Sequence, residues 1–237
     1  IALFAVILLA WCALYLMAAP AAAVPAGLPG RATLQSLCAV TPGGAGLAGL
    51  ALMWAVMSAA MMLPTALPAL ATYDDLGHAA RTDFARLAAG YLAAWGGFSL
   101  AAAALQLWLH RAGLVDALGA SRSAALSGAL LVGAGAYQFS PLKDACLAKC
   151  RAPLTFFMQH WAEGPARMGL RLGLACLGCC WALMLLGFAG DVMSLAFMGV
   201  AMVIMVLEKL PDPGRHLTRP LGAGLVAAGL WVLVTRV

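Results

Sequence analysis

The chain has 237 residues, of which 64% are apolar and 10% charged, with a mean hydropathy of +0.95 and a formal net charge of +5. About a quarter of a soluble domain's residues are charged, so this chain has too little polar surface to cover a water-facing globule. The apolar residues run in long blocks rather than alternating, which argues against a transmembrane β-barrel and for helices that satisfy their own backbone amides. The fold class predicted is all-α, a polytopic transmembrane helix bundle forming a single integral membrane domain over residues 1–237, with the lipid bilayer as its first partner. Nucleic acid is not predicted as a partner, because the basic residues sit in short loops and at span ends, where they orient a membrane protein.

About seven spans are predicted in chain order: Ile1–Ala19, Gly46–Ala71, Phe84–Leu109, Ala124–Phe139, Met168–Phe188, Val192–Leu210 and Pro220–Val234. Most are long enough to cross about 30 Å of hydrocarbon at 1.5 Å per residue. The fourth and seventh are short, and six spans is the alternative count. The first begins without Met or a basic leader, and Ala19-Pro20-Ala21 resembles a cleavage zone. Its length favours a retained helix that lacks its upstream residues. Lys and Arg fall unequally on the two sides. Arg81, Arg86, Lys143, Lys149, Arg151, Arg167, Arg171, Lys209, Arg215 and Arg219 share the side of the N-terminus, against Arg31, Arg111, Arg122 and Arg236 opposite. That asymmetry predicts the N-terminus inside and the C-terminus outside. Small residues at Ala93, Gly97 and Ala101, and at Gly169 and Gly173, are read as helix-packing stripes.

The sulfur content needs a reason, with seven Cys and 12 Met. Cys146 and Cys150 are four residues apart in the loop before the fifth span, and Cys176, Cys179 and Cys180 lie within that span. Residues three or four apart share a helix face, so Cys176, Cys180 and Met184 form a stripe with Cys179 beside it. Met53, Met57 and Met61 line the second span with Met62 adjacent, and Met198, Met202 and Met205 lead to Glu208 in the sixth. Thiolates and thioethers are soft donors that suit Cu(I), and stripes converging in a bundle can build a site. A methionine stripe alone is more often packing. The two cysteine clusters carry more weight, the first beside Lys143, Lys149 and Arg151, whose charge would favour thiolates. The candidate metal ligands are therefore Cys146, Cys150, Cys176, Cys179 and Cys180, with Met57, Met61, Met62, Met198 and Glu208 in support. Lone Cys12 reads as a buried apolar residue, and Cys38 has no evident partner. Glu208 and Lys209 at a span end, and Asp191 at the other, read as interfacial anchors. His78, His110, His160 and His216 are too scattered for a His-based zinc site.

These motifs resemble a family of bacterial predicted metal-binding integral membrane proteins, catalogued as domain of unknown function 2182. The resemblance is carried by Met53 to Pro64, by Tyr137 to Pro153, by Cys176 to Met184 and by Gly190 to Met198 with Glu208-Lys209, spanning about residues 50 to 210. It implies a multi-helix protein of the bacterial inner membrane with a metal-binding role. Ser194 and Phe197 depart from the family pattern, where Asn and Trp are usual, and the Cys and Met positions do not.

No phosphate loop, nucleophile elbow or His-Glu-x-x-His motif is present, so no catalytic residue is predicted. The function expected is binding of a soft transition metal, most directly copper as Cu(I), in metal handling or delivery. The alternative is a non-catalytic accessory subunit of a larger membrane complex, in which other membrane-protein subunits are the partners. A thiol–disulfide enzyme is a third class, and it would need the Cys pairs to cycle.

Overall fold

The computed structural model describes residues 2–19, 31–37, 40, 46–77, 82–190 and 192–236. Among these residues the chain is helical throughout, with no strand and one isolated bridge between Val115 and Ser121. The helices are α1 (Ala2–Ala18), α2 (Arg31–Ser36), α3 (Gly46–Leu76), α4 (Phe84–Arg111), α5 (Ala124–Tyr137), α6 (Pro141–Arg151), α7 (Pro153–His160), α8 (Pro165–Leu185), α9 (Gly187–Gly190), α10 (Leu195–Lys209) and α11 (Pro211–Arg236). Four stretches are long and apolar enough to cross a membrane: Gly46–Leu76, Phe84–Arg111, Pro165–Gly190 and Pro211–Arg236. They are compatible with lipid contact. The other three expected spans are also helical, but α1, α5 and α10 are shorter than these four. Cys38, His78, Arg81 and Asp191 lie outside the described residues.

Helix starts follow local chemistry. Ser123, Ser140 and Ser194 accept backbone N–H groups at the first turns of α5, α6 and α10, and Asp83 does so for α4. Proline opens α6, α7 and α8, where its missing N–H costs nothing. The predicted loop around Cys146 is therefore a capped helix, and the last helix starts at Pro211 rather than Pro220, which lies inside it.

Two features place the site. In α3, Pro64 supplies no N–H to the Ala60 carbonyl, and Trp11 of α1 donates its indole N–H there instead at 3.0 Å. One turn of α3 near the interruption thus exposes backbone groups to its neighbours. The second feature is the α4–α8 seam. A Cβ on Gly169 or Gly173 would be driven into the Leu87 or Tyr91 backbone, and one on Gly90 into that of Ala166. The Gly169 stripe packs as expected. The Ala93, Gly97 and Ala101 stripe does not, since these residues are exposed and Gly97 has open space around it. The register of α4 is set by its buried Leu87, Tyr91, Ala94 and Trp95 instead.

Candidate metal centre

Cys176, Cys179 and Cys180 occupy consecutive turns of α8, and helix periodicity turns them toward the core, where all three are buried. Their sulfur atoms lie within 4.8 Å of one another, a separation that one metal ion can bridge. Cys179 and Cys180 Sγ are 3.3 Å apart, and the Cys179 thiol also donates to the Cys176 carbonyl at 3.1 Å. Cys150, on α6, faces the Cys176 side of the thiol group. It also lines, with Cys176, a cavity of about 30 Å³ closed by Thr65, Pro68, Tyr91 and Lys209. Cys150 and Cys176, from two helices, thus line a space the size of one small ion.

Lys209 is only 7% exposed, and its ammonium donates to Cys176 Sγ at 2.9 Å and to Thr65 Oγ1 at 2.6 Å. The ion pairs among the described residues do not include Lys209. A buried cation needs a counter-charge, and here the group positioned to carry it is the Cys176 sulfur. Tyr91 Oη lies 3.1 Å from the same sulfur and 3.0 Å from the Met62 carbonyl. It has one proton for the two acceptors. The same carbonyl also accepts from Thr65, whose hydroxyl donates to it at 2.9 Å. Met62 is drawn in by the same turn of α3, with its Sδ 4.0 Å from Thr65 Oγ1.

Beside the thiols lies a second buried polar group. Lys143 Nζ donates to Glu208 Oε2 at 2.8 Å, and the two side chains are 0% and 1% exposed. Arg151 donates through Nε and Nη2 to the Glu208 backbone carbonyl, one of the acceptors left open at the end of α10. Both cations come from α6. The helix that carries Cys150 is therefore fastened to the helix that carries Lys209.

Of the residues singled out from sequence, Cys150, Cys176, Cys179 and Cys180 converge with Met62 close by. Cys146 is half-buried on the rim and packs against Gly178. Burial pushes its thiol above the ordinary range and outweighs the opposing pull of Lys149, contrary to the expectation that nearby cations would dominate. Met57 and Met61 are buried within the common core. Met198 is too, near the start of α10, roughly 16 Å along the axis from Lys209. The Glu208 carboxylate stands outside the thiol group and is the partner of Lys143. The anchor reading of Glu208 and Lys209 is corrected, because both point inward. Cys12, expected to be buried, is exposed. Tyr91 and Thr65 belong to the surroundings of the site but were not picked from sequence, where Lys209 was read only as an anchor and Lys143 only as a cation beside the first cysteine pair. The available signal was a Glu-Lys doublet closing a methionine-lined helix, with a third charge next to a Cys pair.

Three buried thiols within 4.8 Å of one another in an apolar helical bundle fit the handling of a soft transition metal. A family model described as copper chaperone, PpoB2, matches residues 51–232, and the chain belongs to that family. Searches of curated proteins and of solved structures returned no match.

Proposed function

We propose that this chain is an integral membrane copper chaperone that takes Cu(I) as cargo on Cys176, Cys179, Cys180 and Cys150. Met62, whose sulfur lies 4.0 Å from Thr65 Oγ1, is the thioether in support. The observation that carries the reading is the three-thiol group of α8, buried and with its sulfurs within 4.8 Å of one another. Thiolates prefer soft Cu(I) and can hold it with two or three sulfurs. Cu(I) on two thiolates has one net negative charge, which the Lys209 ammonium offsets without water. A cavity of about 30 Å³ suits a bare ion better than one that keeps its hydration shell. The motif resemblance to a predicted metal-binding membrane family agrees with this role.

We place the protein in the bacterial inner membrane with its N-terminus inside. Lys143 and Lys209 are buried, so they drop out of the orienting charges, and the remaining Lys and Arg still favour the same side. The test is copper content after anaerobic reconstitution in mild detergent. The wild type should hold stoichiometric Cu(I), and Cys176→Ser with Cys180→Ser should lose it while the chain still inserts. Equal copper in the two proteins would overturn the assignment, and no copper in either would favour the accessory-subunit reading.

A further inference from the structure

The thiol group of α8 is buried, so cargo needs a route to it. The thiols themselves are graded in exposure. Cys146 is half-buried and lines an open pocket of about 280 Å³ with Lys149, Phe156, His160 and Arg171. Cys150 lies one helical turn further along α6, also half-buried, and lines the inner cavity with Cys176. Cys176 in turn belongs to the buried group with Cys179 and Cys180. Between the outer and inner thiols stands Gly178. A Cβ there would come within 2.5 Å of Cys146 Sγ, so the missing side chain is what lets the outer sulfur lie against α8 beside Cys179. Tyr137 donates its hydroxyl to the Gly178 carbonyl and holds α8 in place at that point.

We infer that Cys146 is an entry ligand, a relay sulfur that receives Cu(I) from an anionic small-thiol complex and passes it to Cys150, and is not part of the resident site. This rests on the copper reading proposed above. The pocket's chemistry fits such a donor. Cu(I) held by two thiolates is an anion, and Lys149, Arg171 and His160 border the sulfur that would meet it. The Glu163 carboxylate pairs with Arg171 at 2.6 Å, and Lys149, three residues from Cys146, is in none of the ion pairs among the described residues. The exchange balances without electron transfer. A Cu–S bond to Cys146 forms as one to the carrier breaks, and the proton of the Cys146 thiol goes to the departing carrier thiolate. In the next step the Cys150 thiol gives its proton to Cys146 as copper moves inward, and the Cys176 thiol displaces the second carrier thiolate and gives it its proton. Copper stays Cu(I) throughout.

A relay ligand controls rate, and a resident ligand controls affinity. The test is anaerobic stopped-flow loading of the full chain in detergent from the Cu(I)–glutathione complex, followed by equilibrium titration against a chromogenic Cu(I) chelator. Cys146→Ser and Cys146→Ala should load at least tenfold more slowly, with final copper content and affinity unchanged. Cys150→Ser should lose affinity. Loading of both Cys146 variants at the wild-type rate overturns the relay and leaves the copper reading standing. Loss of equilibrium copper in those variants also overturns it, by making Cys146 a resident ligand. A wild type that takes no copper removes the copper reading itself, and the relay with it.

Discussion

Replacing Lys209 with methionine removes the ammonium but keeps the side-chain length. The ammonium lies 2.9 Å from Cys176 Sγ. At an effective dielectric of about 20, unit charges at that separation attract by about 6 kcal/mol. Methionine also abolishes the cost of keeping an ammonium out of water, which returns half or more of that figure. The net loss for an anionic Cu(I)–thiolate centre is then about 2–3 kcal/mol, or roughly 30- to 100-fold in affinity at 1.4 kcal/mol per decade. Competition between the protein and a chromogenic Cu(I) chelator under anaerobic conditions measures this directly. Lys209→Arg, which keeps the charge but must fit a larger head into the same cavity, should fall between the two. If Lys209→Met binds Cu(I) within about threefold of the wild type, the ammonium is not the counter-charge of the site and the argument fails.

Glu208→Gln should leave Lys143 buried without its carboxylate, costing about 3–5 kcal/mol, and lower the thermal midpoint in detergent by roughly 10 °C. Lys143→Met combined with Glu208→Leu should recover most of it, and a double variant no more stable than Glu208→Gln would refute the pairing. Gly169→Ala should destabilise the α4–α8 seam markedly. Gly97→Ala, facing open space, should change stability by less than about 0.5 kcal/mol, and equal unfolding midpoints would contradict the seam. The half-buried Cys146 thiol should be alkylated more slowly than a free thiol at pH 8. Its rate should climb on going to more alkaline pH, because a raised pKa leaves less thiolate at the lower value. Mass-spectrometric alkylation rates against pH check this, and a Cys146 rate matching that of a free thiol at pH 8 would contradict it.

Helix content and the cysteine groups were legible because both rest on local rules. Long apolar blocks demand helices in lipid, and four-residue spacing puts Cys176 over Cys180 whatever surrounds them. The companions of the thiols were not legible. Thr65, Tyr91, Cys176 and Lys209 meet across four helices, and only the crossing of α3, α4, α8 and α10 makes them neighbours. Charge misled most. A Glu-Lys doublet at a helix end usually reaches for the interface, and nothing in its sequence says that α6 will supply Lys143 and Arg151 to draw Glu208 inward. Small residues misled in the same way. Spacing by four marked the exposed Gly97 face as readily as the packed Gly169 face, because the pattern records what can approach closely and not what does.

The pairing of α5 with α11 has a wider consequence. Gly128 and Gly135 meet Gly229 and Gly222 backbone to backbone, and Gly222 also abuts Gln138 and Phe139 in the turn that leads into α6. With only Val132, Val226 and Leu233 filling in around these glycines, the two helices have little that can rearrange, and the turn is held at a fixed height. The C-terminal helix contributes no sulfur, yet it acts as the datum from which the thiol-bearing helix is measured. A bulkier residue at Gly222 would misalign Cys150 with Cys179 without touching either.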